Sequence, residues 1–158
     1  MPEPTKPLQS LHAALSRNTG FLISRMGLIA SKHFSERIGS IGLTTRMWGA
    51  LNVLNAEGPI SQGALCTAIQ MDPSSMVATV DELERQGLVE RRRHPSDRRA
   101  YALHITDHGH DVLGRGRALA REAQEELLAP LSEQERAQLR ELLLKLAATS
   151  DGLTSPPA

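Results

Sequence analysis

This 158-residue chain has one cysteine, Cys66, and only 3% aromatic residues, and its formal net charge is zero. A lone cysteine excludes an internal disulfide and fits a reducing compartment. Zero net charge argues against a uniformly basic coat for nucleic acid. No stretch approaches the roughly 18 consecutive apolar residues of a membrane helix, so no membrane partner is expected. The first residues lack the basic, apolar, small-residue order of an export signal, which makes the cytoplasm the expected location. No Ser/His/Asp array, paired-carboxylate cleft or glycine-rich phosphate loop is present, so neither enzyme nor cofactor is expected.

What the sequence does contain is unevenly placed. Between Arg85 and Arg99 there are six arginines against Glu90 and Asp97, whereas between Glu122 and Asp151 there are seven acids against Arg136, Arg140 and Lys145. One end of the molecule can face phosphates while the other stays away from them.

Helical periodicity dominates. Leu8, Leu11, Leu15, Leu22, Met26 and Ile29 form one stripe of a first helix predicted to run to about Ile38, ended by Gly39 and Gly42. Thr44 caps a second helix carrying Met47, Leu51 and Leu54, and Ser61 caps a short third carrying Leu65 and Ile69. Asp72 as N-cap with Pro73 behind it starts a fourth, which Gly87 ends. Residues 88–93 and 99–105 read as a hairpin, with Tyr101, Leu103 and Ile105 on one face of its second strand. Thr106 caps a long fifth helix, and Ser132 with Glu135 forms a capping box opening a sixth with Leu139, Leu142, Leu143 and Leu146. The first and last helices each present only an apolar stripe, and packing them against a second copy would cover both, which predicts a homodimer.

The third and fourth helices, joined by a very short turn, have the helix-turn-helix arrangement whose second helix enters the major groove of double-stranded DNA. On the fourth, a helical wheel buries Met76, Val77, Val80 and Leu83 and turns Ser74, Ser75, Ala78 and Glu82 outward, with Thr79 on the flank. Small outward side chains allow close approach to base edges and methyl contact to thymine. The hairpin adds Arg91, Arg92 and Arg93 for backbone phosphates, and Asp97, Arg98 and Arg99 at a tight turn, where Asp97 can orient Arg99. With five arginines and no lysine, this flap suits planar phosphate and minor-groove recognition better than simple solubility. A protein-binding module on the same fold is the alternative, and it would not need that arginine tip.

The residues from Leu43-Thr44 and Trp48 through Met71-Asp72-Pro73, the run Val80 to Val89, and Asp97-x-Arg99 followed by Ile105-Thr106 and Gly109 resemble the MarR family over nearly the whole chain. The resemblance implies a mainly α fold with a small β-hairpin wing, a winged helix-turn-helix, in one domain spanning 1–158. The DNA-binding lobe would be 44–105 and the dimerisation helices 8–38 and 106–149. It implies a regulator, usually a repressor, that binds a pseudo-palindromic operator as a homodimer, with Arg99 in the minor groove. Many members carry a bulkier or basic residue where Ala78 stands, so direct base readout is expected to be modest. The resemblance further implies a small aromatic or anionic effector where the dimer helices meet the lobe, with Arg25, His33, Met47, Trp48 and Leu51 as candidates. Zinc-sensing relatives make a metal-responsive regulator a further alternative, but His108 and His110 are two apart on a helix and diverge by about 200°, while His104 is on a strand. Cys66 is expected to be a small buried hydrophobe.

Overall fold

The computed structural model describes residues 13–93 and 101–148. Their order is α1 (Ala13–Ser16), α2 (Thr19–Gly39), α3 (Thr45–Glu57), β1 (Ile60–Ser61), α4 (Gln62–Ala68), α5 (Pro73–Arg85), β2 (Val89–Arg93), β3 (Tyr101–Ile105), α6 (Asp107–Leu128) and α7 (Glu133–Ala147). The strands form one antiparallel sheet in the order β1-β3-β2. Its register pairs Val89 with Ile105 and Arg93 with Tyr101 on one side of β3, and Ile60 with Leu103 on the other.

The caps explain where the elements begin. Thr44, Ser61, Asp72, Thr106 and Ser132 are extended, and each accepts a backbone N–H from the residue three positions on, satisfying a donor that the first helical turn leaves unpaired. Ser132 and Glu135 complete the expected capping box. The first helix differs from the sequence reading. Asn18 is extended (φ −93°, ψ 107°) and its side-chain oxygen takes the Phe21 N–H at 2.9 Å, so the helix is interrupted and starts afresh as α2. A local side-chain bond to the backbone here competes with helix continuation. Leu8 and Leu11 lie outside the described residues. Strand β1 was also unexpected; at two residues it carries no periodic signal, and it shares Ser61 with the cap of α4.

The core lies where α3, α4 and α5 meet the sheet and the start of α6. Ile38, Met47, Leu51, Leu54, Leu65, Met76, Val80, Leu83, Leu88, Leu103 and Leu113 are essentially inaccessible to solvent. On β3 the predicted alternation is only partly realised: Leu103 is buried, but so is Ala102, while Tyr101 is exposed. Ala102 is a small side chain on the middle strand, flanked by Ser61 of β1 and Arg92 of β2; Tyr101 lies at the hairpin end, beyond the core.

One junction fixes the lobe to the long helix α6. The Thr106 N–H donates to the Leu88 carbonyl at 3.0 Å, and the Thr106 hydroxyl donates to the Gly87 carbonyl at 2.7 Å. Gly109 sits on this junction so tightly that a Cβ there would be 2.1 Å from the Leu88 oxygen and 2.7 Å from Ile105 Cγ1. Only glycine fits. The same holds for Gly116, whose missing Cβ leaves room for the Trp48 ring.

The outer helices leave apolar surface uncovered. Leu28 on α2 is 65% exposed, and Leu142, Leu143, Leu144 and Leu146 on α7 are each about half exposed. No residue of α7 is buried. Among the described residues, no helix is long and apolar enough to cross a membrane.

Candidate nucleic-acid interface

Helix α5 follows α4 after the turn Ile69-Gln70-Met71, where Gln70 takes a left-handed conformation (φ 51°) that permits the abrupt change of direction. Asp72 then caps α5 by accepting the Ser75 N–H at 2.9 Å and the Ser74 hydroxyl at 2.6 Å. The hydroxyls of Ser74 and Ser75, with the Ser75 N–H, hold the Asp72 carboxyl well below the ordinary carboxylate range. A carboxylate therefore already occupies the positive end of the helix, so this terminus is poorly suited to hold a DNA phosphate.

The outward face of α5 differs from the helical wheel at two positions. Ser74 and Ala78 are exposed and Ser75 half-buried, broadly as expected. Val77, assigned to the core, is 45% exposed. Thr79, placed on the flank and counted with the DNA-contacting residues, is buried; its hydroxyl donates to the Ser75 carbonyl at 2.7 Å and also lies 3.7 Å from Met71 Sδ. Its polarity is satisfied inside the helix, and it is withdrawn from the surface. The helix axis is rotated slightly from the wheel estimate, exchanging Val77 for Thr79. The exposed surface is thus Ser74, Val77, Ala78 and Asp81, four positions on one helical face.

Further along α5, Glu82 accepts hydrogen bonds from Arg85 and Gln86, which lower its carboxyl to about 2. Arg85 is correspondingly raised. This helix carries Asp81, Glu82 and Glu84 against Arg85, so attraction to phosphates must originate elsewhere.

The hairpin carries arginines instead. Arg93 is exposed at the far end of β2, and Arg92, also exposed, pairs with Glu90 on the same strand. Arg91 departs from the phosphate role expected of it. Its guanidinium is folded back onto Glu84, Asp81 and Gln62, and its backbone N–H donates to Glu84 as well. Asp97, Arg98 and Arg99 lie outside the described residues.

The residues expected to hold an effector do not converge. Met47 and Leu51 are buried core, and Arg25 is exposed on α2. Trp48 is half-buried, packed edge-on to Phe34 with ring centroids 5.8 Å apart. His33 pairs with Glu126 at 3.0 Å and lines a groove of about 800 Å³ between α2, α6 and α7. Phe34, Leu128, Arg136 and Leu143 also line it. Of the five candidates only His33 reaches this groove, although Trp48 touches its wall through Phe34. Sequence reasoning missed the α6 and α7 side of the groove, since leucine and alanine stripes there read equally well as dimer surface.

Cys66 is half-buried, its thiol donating to the Met71 carbonyl at 2.7 Å. His104 and His110 border a small cleft with Leu54 and Pro59. Among the described residues, no group of three or more His, Cys, Asp or Glu side chains is placed to share a metal.

The model of the MarR family matches residues 41–100 of this sequence. A putative transcriptional regulatory protein for the hcr operon of Thauera aromatica is 34% identical over 137 residues, covering 86% of this chain and 82% of that protein. A probable transcriptional regulator from Pseudomonas aeruginosa, known from its crystal structure, is 35% identical with a TM-score of 0.71, covering 84% of this chain and 98% of that one. A MarR family transcriptional regulator from Rhodococcus sp. RHA1 is 30% identical with a TM-score of 0.70, covering 86% and 96%. The exposed recognition helix, the hairpin beside it and these likenesses lead to one conclusion: the chain belongs to the MarR family of winged helix-turn-helix transcriptional regulators.

Proposed function

We propose that this regulator represses transcription as a homodimer on a pseudo-palindromic operator, with release by a small anionic aromatic effector. The observation that carries the DNA reading is α5, capped and presenting the small side chains of Ser74, Val77 and Ala78 beside an arginine-bearing hairpin. In this reading Ser74, Ser75, Val77 and Ala78 face the major groove. Arg92, Arg93 and Arg98 meet phosphates, and Arg99, oriented by Asp97, enters the minor groove. Because α5 carries more acid than base, the wing supplies most of the affinity.

The dimer is supported by the exposed leucines of α2 and α7, which a second copy would cover. Two lobes then meet half-sites about one helical turn apart. The effector reading is supported by the groove beside His33, whose apolar walls and cationic Arg140 suit an aromatic carboxylate, Arg136 being paired with Glu125.

Arg99→Ala tests the proposal. Operator affinity should fall by about tenfold or more, while the dimer and its melting temperature stay nearly unchanged. An Arg99→Ala protein that binds DNA normally would refute the wing assignment.

A further inference from the structure

Arg91 stands at the root of the wing, on the residue of β2 that pairs with Leu103. Its guanidinium contacts Glu84 and reaches Asp81 at 3.0 Å and Gln62 at 3.1 Å, while its own N–H donates to Glu84 at 3.1 Å. One side chain therefore ties the wing strand to the end of the recognition helix and to the first residue of α4. The Arg91 and Glu84 side chains are 31% and 29% exposed, so this network is more shielded than an ordinary surface ion pair.

We propose that Arg91 and Glu84 are positioning residues for DNA binding: they set the angle between wing and recognition helix, and Arg91 touches no phosphate. The inference rests on the DNA-binding reading above. Three features of this network support it. The planar guanidinium has its donors aimed at three acceptors, a fork that a lysine could not reproduce. Two carboxylates flank it, so the local charge is negative and repels a phosphate. The network bridges the two elements that must enter different grooves together, and holding them at one angle removes an ordering cost from binding.

The test compares Glu84→Gln and Arg91→Gln with the wild-type protein on a duplex that the wild type selects from a random pool. Affinity is measured per folded chain across a range of salt concentrations. Removing an acid close to DNA would ordinarily tighten binding; here Glu84→Gln should weaken it by about tenfold. Arg91→Gln should weaken it similarly, and the double variant should be no worse than either single one. The slope of log affinity against log salt should not change, because no phosphate contact is lost.

Equal or tighter binding by Glu84→Gln would overturn the proposal. So would an Arg91→Gln slope shallower by about two per dimer, the mark of one lost phosphate contact in each protomer. Should either variant unfold, Asp81→Asn, at a more exposed side chain, provides the same test; it should bind about threefold more weakly, and unchanged or tighter binding would again overturn the idea. A wild-type protein that selects no duplex at all would instead remove the DNA-binding reading itself.

Discussion

Replacing Gly109 by alanine should damage the molecule at the joint between lobe and long helix, although alanine is the better helix former. The added Cβ would be 2.1 Å from the Leu88 carbonyl oxygen, about 1 Å inside the closest approach that real side chains show. That oxygen cannot turn away freely, because it accepts the Thr106 N–H at 3.0 Å. Overpacking of this kind costs about 1–3 kcal/mol, and loss of the hydrogen bond adds about 1 kcal/mol. Alanine's helix preference returns about 1 kcal/mol. The net loss of about 2 kcal/mol should lower the melting temperature by about 4–8 °C in a chain of this size. Gly114→Ala is the control, since a Cβ there meets nothing within 4 Å on the same helix. It should raise the melting temperature by about 2–4 °C. Thermal melts followed by circular dichroism distinguish the two. A Gly109→Ala protein melting at or above the wild type would refute the packing argument.

Other outcomes follow from the same geometry. Leu146→Asp places a charge in the proposed dry interface and should yield monomers or unfolded chains at micromolar concentration in sedimentation; an unaltered dimer would contradict the dimer surface. Asp72 and Glu82 both have depressed carboxyl pKa values, so their contribution to stability is full above the ordinary carboxylate range and is lost as pH falls from 4.5 towards 2. Asp72→Asn with Glu82→Gln should therefore flatten the acid side of the melting profile, and an unchanged profile would count against these hydrogen bonds. If Val77 packs on a thymine methyl, uracil in place of that thymine should weaken binding about fourfold, with no such loss in Val77→Ala. Salicylate-like compounds titrated into the DNA complex should quench or shift Trp48 fluorescence as DNA is released; silence across a broad aromatic panel would remove the effector proposal.

The parts of the fold that are written as local chemistry were readable from the sequence. Thr44, Ser61, Asp72, Thr106 and Ser132 all start helices, because a short polar side chain before an apolar run can take the N–H left over by the first turn. Asn18 obeys the same rule, but continuous apolar spacing from Leu8 to Ile29 concealed it. The candidate site was less legible because it depends on tertiary placement. A rotation of α5 by a fraction of a turn was enough to bury Thr79 and expose Val77. Arg91 reads as one more arginine of a basic flap until the fold brings Gln62, Asp81 and Glu84 around it. Two of the effector candidates were hard to place for a related reason: Met47 and Leu51 share a helical face with Leu54, and that face is the core.

The central claim is that this chain is a DNA-binding regulator whose affinity comes chiefly from arginines outside the recognition helix. Operator affinity measured against salt concentration tests it most directly, using the duplex selected by the wild-type protein. Log affinity should fall linearly with log salt, and its slope should drop in magnitude by about two per dimer in Arg99→Ala. Salt-independent binding, or a slope untouched by that change, would contradict the claim.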